Sequence, residues 1–386
     1  MSVRVTAVVA AAAVLVVLSG CASQPPTQPP PLPTASPAAT AAPVVTLPSS
    51  RLGIECEDLV TAETVTARIA GAVPRPDYFA DILAQSPGIP EGTPLLQAGG
   101  LVCDWSAMTA VAGNLGQPAG YTGLHIELLP DAASYWATYT DSVGIPSTGF
   151  WYCSNYGALT GPFCNFEALV GTTWVSIQLS GVDAGTTDSD EVVAARVRPF
   201  VDAIVAVIAE AGSPAALWVD PSAAVIPGSC EQVLPIATVA EGVGIASLAD
   251  YETASTPFGA GFIGLLSTAA RLSIGEVVCP WGYGYETEFG GLRLIPGGSW
   301  ALSQTIDDPS PAGPAVRVKV DGLGSDDAAW LRCAAADGAC VLDVSIGRNW
   351  LEVFLWQPTD LDGNTVPMDR QAVLQKLAES AVDNLN

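Results

Sequence analysis

The sequence is poor in positive charge. It has 14 Lys and Arg residues against 39 Asp and Glu residues, which gives a formal net charge of −25 at pH 7. A surface with this balance repels a polyphosphate backbone, so we do not expect nucleic acid as a partner. The acidic excess does not indicate disorder, because 49% of the residues are hydrophobic and such a chain can bury a core.

Histidine is almost absent, which limits the possible catalytic chemistry. Any Ser-His-Asp or Cys-His arrangement would have to use His125. His125 lies in an alternating run that predicts a strand with Leu124 and Ile126 facing the core, and with His125 and Glu127 facing solvent. We take Arg293 as its counterpart in the second half of the chain, which favours a solvated basic position. The sequence therefore predicts a protein that is not an enzyme.

The apolar run Val5–Leu18 is too short for a membrane span, but it has the length of a secretory signal core. It ends in Leu18-Ser-Gly-Cys21, which resembles the lipobox of bacterial lipoproteins. The resemblance implies that residues 1–20 are a signal peptide and that the Cys21 sulfur is lipidated, with palmitate among the attached groups. The expected location is the outer face of the cytoplasmic membrane, where the lipid anchor makes the membrane a partner.

Residues 21–50 predict a tether. Positions 22–50 contain 9 Pro residues among Ala, Thr, Ser and Gln, and no charge. This composition favours extended polyproline II structure over a packed core.

The rest of the chain is a duplication. The spacing of Cys164, Gly171 and Trp174 recurs in Cys340, Gly347 and Trp350. Further pairs of segments match in the same order: Cys56-Glu-Asp-Leu with Cys230-Glu-Gln-Val, Leu101–Trp105 with Val277–Trp281, Leu124–Pro130 with Leu292–Pro296, and Trp151–Cys153 with Trp330–Cys333. We predict a first repeat over 51–212, a linker over 213–228 and a second repeat over 229–386.

Each repeat is predicted to be α+β, with a mostly antiparallel sheet packed with helices. Short alternating runs predict the strands, and a tight hairpin is expected at Gly171. The stripe of Val193, Val197 and Val201 predicts a closing helix over 191–211. We expect only one face of each sheet to be apolar.

Eight cysteines remain after Cys21, four in each repeat. An exported chain lives in an oxidising compartment, and the sequence has no Cys-x-x-Cys, so disulfides are favoured over a zinc site. Because the duplication argues that each repeat closes itself in the same way, we predict sequential pairing. The predicted disulfides are Cys56–Cys103, Cys153–Cys164, Cys230–Cys279 and Cys333–Cys340.

The candidate binding face lies on the last strand of the second repeat. Trp350, Phe354 and Trp356 alternate there, where the first repeat has Trp174, Gln178 and Ser180. An aromatic face whose twin is polar indicates contact with the other repeat, a ligand or a protein.

No cofactor is expected. Gly259-Ala-Gly261-Phe-Ile-Gly264 fits the dinucleotide fingerprint, but no buried strand precedes it. Two acidic loops could offer oxygen ligands to Ca²⁺, but they do not match an EF-hand, and acids at helix N-termini are explained by the helix dipole. The loop residues considered are Asp183, Asp188, Asp190, Glu191, Asp360, Asp362, Asn364 and Asp369.

With the lipobox, the Pro-rich tether, and the Cys-x-x-Leu start at Cys56 answered by Cys-x-Trp at Cys103 and Cys279, the chain resembles secreted lipoproteins of unknown function from high-GC Gram-positive bacteria. The second repeat departs from this pattern, with Val233 in place of Leu59. The resemblance implies a PsbP-like sandwich and transfers no catalytic residue.

Three functions are compatible with these features. The first is a non-catalytic binding or accessory module of the cell envelope, whose partner would be a protein, a wall component or a small apolar ligand. The second is a carboxylate-dependent envelope hydrolase, which needs two buried carboxylates in a cleft. The third is a solute-binding lipoprotein of a transporter, which needs two lobes that close on a ligand.

Overall fold

The structure is a computed structural model that describes most of the chain from Pro48 onward. Val45–Asn386 form one unit. The described ranges are 48–74, 92–107, 122–155, 162–181, 188–218, 220–221, 223–246, 248, 265–282, 288–306, 314–333, 340–358 and 365–386.

The first half contains a six-stranded sheet with helices before, within and after it. Its helices are α1 (Cys56–Leu59), α2 (Ala62–Arg68), α3 (Gly92–Gln97), α4 (Ala133–Val143) and α5 (Asp190–Glu210). Its strands are β1 (Val73–Pro74), β2 (Leu101–Ser106), β3 (Gly123–Leu129), β4 (Phe150–Asn155), β5 (Pro162–Val170) and β6 (Thr173–Ser180).

The second half has the same plan. Its helices are α6 (Cys230–Val233), α7 (Ile236–Val243), α8 (Leu265–Ile274), α9 (Ser299–Ile306) and α10 (Arg370–Leu385). Its strands are β7 (Val277–Gly282), β8 (Glu288–Ile295), β9 (Val316–Val318), β10 (Ala328–Cys333), β11 (Cys340–Ile346) and β12 (Asn349–Leu355). No described helix is both long and apolar enough to cross a bilayer.

The two sheets share five strands in the same order. The first runs β1-β2-β3-β6-β5-β4 and the second β7-β8-β12-β11-β10-β9, with every neighbouring pair antiparallel. The sixth strand differs, because β1 lies beside β2 whereas β9 lies beside β10. The predicted mixed α+β architecture with two sheet-based units is confirmed.

Tight hairpins fix the register of both sheets. Val170 pairs with Thr173 across Gly171, whose φ is +63°. Ile346 pairs with Asn349, and both residues between them have positive φ, Gly347 at +51° and Arg348 at +67°. Two-residue turns of this kind match the twist of antiparallel strands. The hairpin predicted at Gly171 is confirmed.

One face of each sheet packs against the long closing helix. Helix α5 buries the stripe that contains Val197, Val201 and Ile204 against the first sheet. Helix α10 buries Leu374 and Leu377 against the second. Each stripe follows helical spacing, so burial of one face explains why these segments fold as helices.

The opposite face of each sheet is covered too, which corrects the expectation of one solvated face. On the first sheet, Trp174 packs with Leu95 of α3 and with Ala269 and Ala270 of α8, which belongs to the other half. On the second sheet, Trp350 lies in a cluster against which Leu96 of α3 packs. Helices α3 and α8 are also in direct contact. The two halves therefore share apolar cores.

A buried hydrogen bond reinforces this contact. Trp300 Nε1 of α9 donates to Gln97 Oε1 of α3 over 2.6 Å. Gln97 is buried, so the bond satisfies polar groups that would otherwise be costly at the interface between the halves.

The structural register changes two equivalences between the repeats. Glu127 pairs with Ser176 and Arg293 pairs with Glu352, so the counterpart of Arg293 is Glu127 rather than His125. The matched segment is two residues shorter in the second repeat. An alignment of Leu124 with Leu292 therefore places Arg293 two residues out of register.

The tryptophans of β4 and β10 are not counterparts either. Cys153 pairs with Cys164 and Cys333 with Cys340, which places Trp151 opposite Phe166 and Trp330 opposite Asp343. A shift of one residue reverses the face of a strand. Trp151 accordingly packs on the α5 side with Phe166, whereas Trp330 packs beside Trp350.

The four disulfides are the predicted ones. They join Cys56 to Cys103, Cys153 to Cys164, Cys230 to Cys279 and Cys333 to Cys340. Each long bridge ties the first short helix of a repeat to the first strand that the two sheets share, β2 or β7, and each short bridge joins two paired strands. Every bridge closes within its own repeat.

Loop length predicts how much each bridge stabilises the fold. Cys56–Cys103 spans 47 residues and Cys153–Cys164 spans 11. In the loop-entropy account, removing the first bridge by Cys→Ala substitution at both ends lowers the free energy of unfolding by about 4 kcal/mol, and removing the second lowers it by about 3 kcal/mol. Urea denaturation of the two double variants measures this order, and a larger loss from the short bridge would contradict it.

Candidate functional site

The predicted binding face is divided by the structure into a buried part and an exposed part. Trp350 is fully buried, and its indole Nε1 donates to Asp343 Oδ1 over 3.0 Å. Phe354 is partly buried, and 37% of Trp356 is exposed. The Phe354 and Trp356 rings meet edge to face, with 5.1 Å between their centroids. Of the three predicted residues, Phe354 and Trp356 offer an aromatic surface, and Trp350 lies in the core between the halves.

Glycine on the neighbouring strand makes room for Phe354. Gly291 is its cross-strand partner, and a Cβ built on Gly291 would lie 2.6 Å from the tip of the Phe354 ring. The ring therefore lies flat over β8, where a side chain would displace it. This arrangement explains Gly291, whereas a Cβ on Gly290 would lie 2.7 Å from the Phe354 carbonyl oxygen and 2.9 Å from the Trp281 ring.

Beside this aromatic pair, the second sheet carries a buried network of ion pairs. Arg293 Nε contacts Glu276 Oε1 at 2.8 Å, and Arg332 Nη2 contacts Asp343 Oδ2 at 2.6 Å. The Glu276 and Asp343 side chains have no exposed surface. Arg271 adds a longer contact to Glu276 at 3.9 Å. Buried charges of this kind must be paired, and here arginines pair with them.

Glu352 lies at the centre of this network. It pairs across strands with Arg293 on one side and Asp343 on the other. Burial raises the pKa of Glu352 to about 8, the nearby Arg293 lowers it, and the charge of Asp343 raises it. Its carboxyl is therefore protonated over a much wider pH range than that of an exposed Glu.

The same face of the first sheet is polar rather than aromatic. His125 Nδ1 lies 3.2 Å from Asp104 Oδ2, and His125 Nε2 lies 3.5 Å from Glu127 Oε1. The expectation that His125 faces solvent is wrong, because only 5% of it is exposed. Burial lowers the pKa of His125, but the hydrogen bonds and charges of Asp104 and Glu127 outweigh burial and raise it to about 9. His125 is thus a protonated partner of two carboxylates, and this state does not suit a general base.

Glu167 lies two strands from Glu127, with Ser176 between them. Burial raises the pKa of Glu167 to about 7, polar contacts with Asn165 and Trp174 lower it, and the charge of Glu127 raises it. Tyr139 of α4 stacks on Trp174 with 5.0 Å between ring centroids, and burial together with the Glu167 charge raises its pKa to about 12. Glu167 is therefore the group on this face that titrates near neutral pH.

The sequence analysis did not single out the buried acids of the two sheets. Asp104, Glu167, Asp343 and Glu352 are all buried within strands. The available signal was an acid flanked by apolar residues in a strand, as in Val-Leu-Asp343-Val and Trp-Leu-Glu352-Val. It was missed because the face that carries these acids was expected to be solvated.

The remaining sequence motifs lie elsewhere. Asp188 pairs with Arg196 over 3.0 Å, and Asp369 caps α10 by accepting from the Ala372 backbone N–H. In the described part of the chain, no three His, Cys, Asp or Glu side chains are grouped as metal ligands. Asp183, Asp360, Asp362, Asn364 and the 259–264 glycine motif lie outside the described residues.

The pKa of Glu167 predicts a pH-dependent gain in stability from Glu167→Gln. The folded-state pKa is about 7, against an ordinary value of 4.5 for Glu, so the stability associated with this group is fully present below pH 4.5 and is lost as pH rises through 7. Gln mimics the protonated carboxyl and avoids this loss. We expect equal free energies of unfolding at pH 4.5, and at pH 8 a variant more stable than the wild type by up to about 3 kcal/mol.

Chemical denaturation at a series of pH values measures this difference. Glu63→Gln, at an exposed position on α2, is the matched control and should show no such trend. A Glu167→Gln variant that is less stable than the wild type at pH 8 would show that the buried carboxylate stabilises the fold.

Comparisons with models of protein families, with curated proteins and with solved structures find no match for this chain. The roles of its residues therefore have to be argued from their own contacts.

Proposed function

We propose that this chain is a lipid-anchored accessory protein of the cell envelope that binds a partner or ligand and catalyses no reaction. The observation that carries the proposal is the use of cysteine. Eight of the nine cysteines form disulfides within the repeats, which suits an oxidising extracytoplasmic compartment. The ninth is Cys21, which occupies the lipidation position of the lipobox-like Leu18-Ser-Gly-Cys21.

The finer assignments belong to the same proposal. We assign the chain to the secreted lipoproteins of high-GC Gram-positive bacteria that it resembles, and each repeat to a PsbP-like sandwich. An antiparallel sheet covered by a long closing helix, as in β2–β6 with α5, supports this assignment. The anchor would hold the protein on the outer face of the cytoplasmic membrane, and residues 21–50 would act as a spacer.

The arrangement of the buried acids disfavours the hydrolase alternative. A general acid must come within hydrogen-bond reach of its substrate. Asp343 and Glu352 are at most 1% exposed, and Asp343 is held by Arg332 and the Trp350 indole. A buried carboxylate that is already paired can stabilise the fold, but it is poorly placed to protonate a leaving group.

The contact between the halves disfavours the transporter alternative. A solute-binding protein with two lobes closes about a hinge, and its lobes separate when the ligand leaves. Here Leu95, Leu266 and Ala269 are buried between the halves, and Trp300 donates to Gln97 across them. Opening would expose this core and leave buried polar groups unpaired. A single body with an external binding surface fits better.

Lipidation of Cys21 is the first test. Mass spectrometry of the protein from its native membrane should show an amino terminus at Cys21 that carries lipid, because the motif implies cleavage before this residue. A Cys21→Ser variant should lose the lipid and leave the membrane fraction. Recovery of an unmodified chain that retains residues 1–20 would contradict the proposal.

The aromatic pair on β12 is the second test. In the Cys21→Ser background, which removes the anchor, we expect replacement of Phe354 and Trp356 by Ser to lower cosedimentation with purified cell walls at least threefold, since aromatic side chains carry much of the energy of binding surfaces (about 2 kcal/mol or more at a hot spot). Val225→Ser removes a valine that is 94% exposed and serves as the control. Equal cosedimentation of the double variant and its parent would remove this surface from the proposed function.

A further inference from the structure

The short disulfides of the two repeats lie at different places in their sheets. Cys333 is the last residue of β10 and Cys340 is the first residue of β11, so their bridge joins the final pair of that ladder. In the first repeat, the pairing of β4 with β5 continues for two further residue pairs beyond Cys153 and Cys164. The bridge of the second repeat therefore lies at a strand end, whereas its twin lies inside the sheet.

The difference in position changes the exposure of the bridged residues. Cys333 is the most exposed of the eight bridged cysteines, and its partner Cys340 is 3% exposed. Cys153 and Cys164 are both buried, at 8% and 1% exposure. A thiol in solution can therefore approach the Cys333–Cys340 bridge from the Cys333 side in the folded protein, whereas the twin bridge becomes accessible only when the sheet opens locally.

The Cys333–Cys340 bridge also constrains the chain less than the others do. Its cysteines are separated by 7 residues in sequence, against 11, 47 and 49 for the other three bridges. In the loop-entropy account, the stabilisation by a disulfide grows with the length of the loop that it closes. Opening of this bridge is therefore the least costly to the fold.

The paired strands keep the two cysteines opposite each other when the bridge opens. β10 and β11 pair over six residue pairs, from Ala328 to Cys333 on β10. The residue before Cys333 is Arg332, whose Nη2 lies 2.6 Å from Asp343 Oδ2 in a buried ion pair. Tyr152 takes the place of Arg332 in the first repeat, since each precedes the first cysteine of a short bridge. The opened bridge is thus held in a geometry from which it closes again.

We propose that Cys333–Cys340 is a thiol-exchange site, at which a small extracytoplasmic thiol reversibly modifies Cys333. The thiolate of the small thiol attacks Cys333 Sγ, the existing S–S bond breaks, and its electron pair leaves with Cys340 Sγ, which takes a proton from water. The product carries a mixed disulfide on Cys333 and a thiol on Cys340. One S–S bond forms for each that breaks, so the step needs no further oxidant or reductant.

The reverse step restores the bridge. The Cys340 thiolate attacks Cys333 Sγ and expels the small thiol, and the β10–β11 pairing places the attacking sulfur directly opposite its target. Exposed disulfides are the ones that exchange most readily, and well-covered ones persist. The chain would thus carry three structural bridges and one exchangeable bridge. This reactivity goes beyond the proposed binding role and does not depend on it.

Limited exchange of the folded protein tests the proposal. The full chain with Cys21→Ser, which has no other free thiol, is incubated without denaturant with 2-mercaptoethanol, a neutral probe, and is then alkylated and mapped by mass spectrometry. At early times we expect the mercaptoethanol adduct on Cys333 and the alkyl group on Cys340. This reaction should be faster than any at Cys153 and Cys164 by on the order of tenfold or more, because the buried bridge must first open locally. Tryptophan fluorescence should stay native.

The twin bridge is the internal control, and removal of the site supplies a second control. Replacement of Cys333 and Cys340 by Ser should abolish the fast reaction and leave the slow reaction of Cys153 and Cys164 unchanged. Equal rates at the two short bridges would overturn the inference, as would an early adduct on Cys340 with the alkyl group on Cys333. Simultaneous opening of all four bridges with loss of native fluorescence would also overturn it, because exchange would then require unfolding.

Discussion

The structure depends on covering both faces of each sheet. If one face of a sheet is exposed to solvent, the long helix at the end of the repeat is enough to cover the other face. Here Trp174 and Trp350 project from the other face and are fully buried, so each repeat needs a second layer. Helices α3 and α8 supply part of that layer for both halves. The burial of these two tryptophans therefore makes one body of two repeats, although each repeat has its own disulfides.

Once a face is sealed, its polar groups must be satisfied inside, and the two repeats do this differently. The second uses arginine, with Arg293 on Glu276 and Arg332 on Asp343. The first uses a protonated His125 between two acids, and leaves Glu167 without a base. Gly291 and Phe354 then fill with apolar surface the place that Gln178 and His125 occupy in the first copy. The shared backbone thus carries an internally neutralised face in one repeat and an acidic face in the other.

Much of the fold followed from local patterns in the sequence. The alternation around Leu124 to Leu128, the helical spacing of Val193 to Ile208 and the glycines at 171 and 347 each constrain the backbone over a few residues. The paired cysteines were predictable because duplication removes most alternative connectivities. For the same reason, the strand order of the second sheet could be expected from that of the first.

The candidate site was harder to predict, because it depends on contacts distant in sequence. Nothing local to His125 shows that its face is buried, since the alternation of Leu124 and Ile126 is the same beneath solvent or beneath a helix. The mismatch of His125 with Arg293 has the same origin. Only the cross-strand pairing of Arg293 with Glu352 shows where the shorter segment of the second repeat must be aligned. Glu352 lies between apolar residues, a signal that gains meaning only when the opposite face is known to be covered.

The pairing of α3 with α8 also bears on how the chain arose. The two helices occupy corresponding places, each ending in a glycine of positive φ, Gly99 or Gly275, directly before the first shared strand of its sheet. A surface that contacts its own counterpart is the mark of an isologous interface. The chain thus contains, within one polypeptide, a contact of the kind that joins the two copies of a homodimer. Because both halves lie in one polypeptide, each half can change its residues independently of the other. The difference between Arg332 and Tyr152 is an example of such divergence.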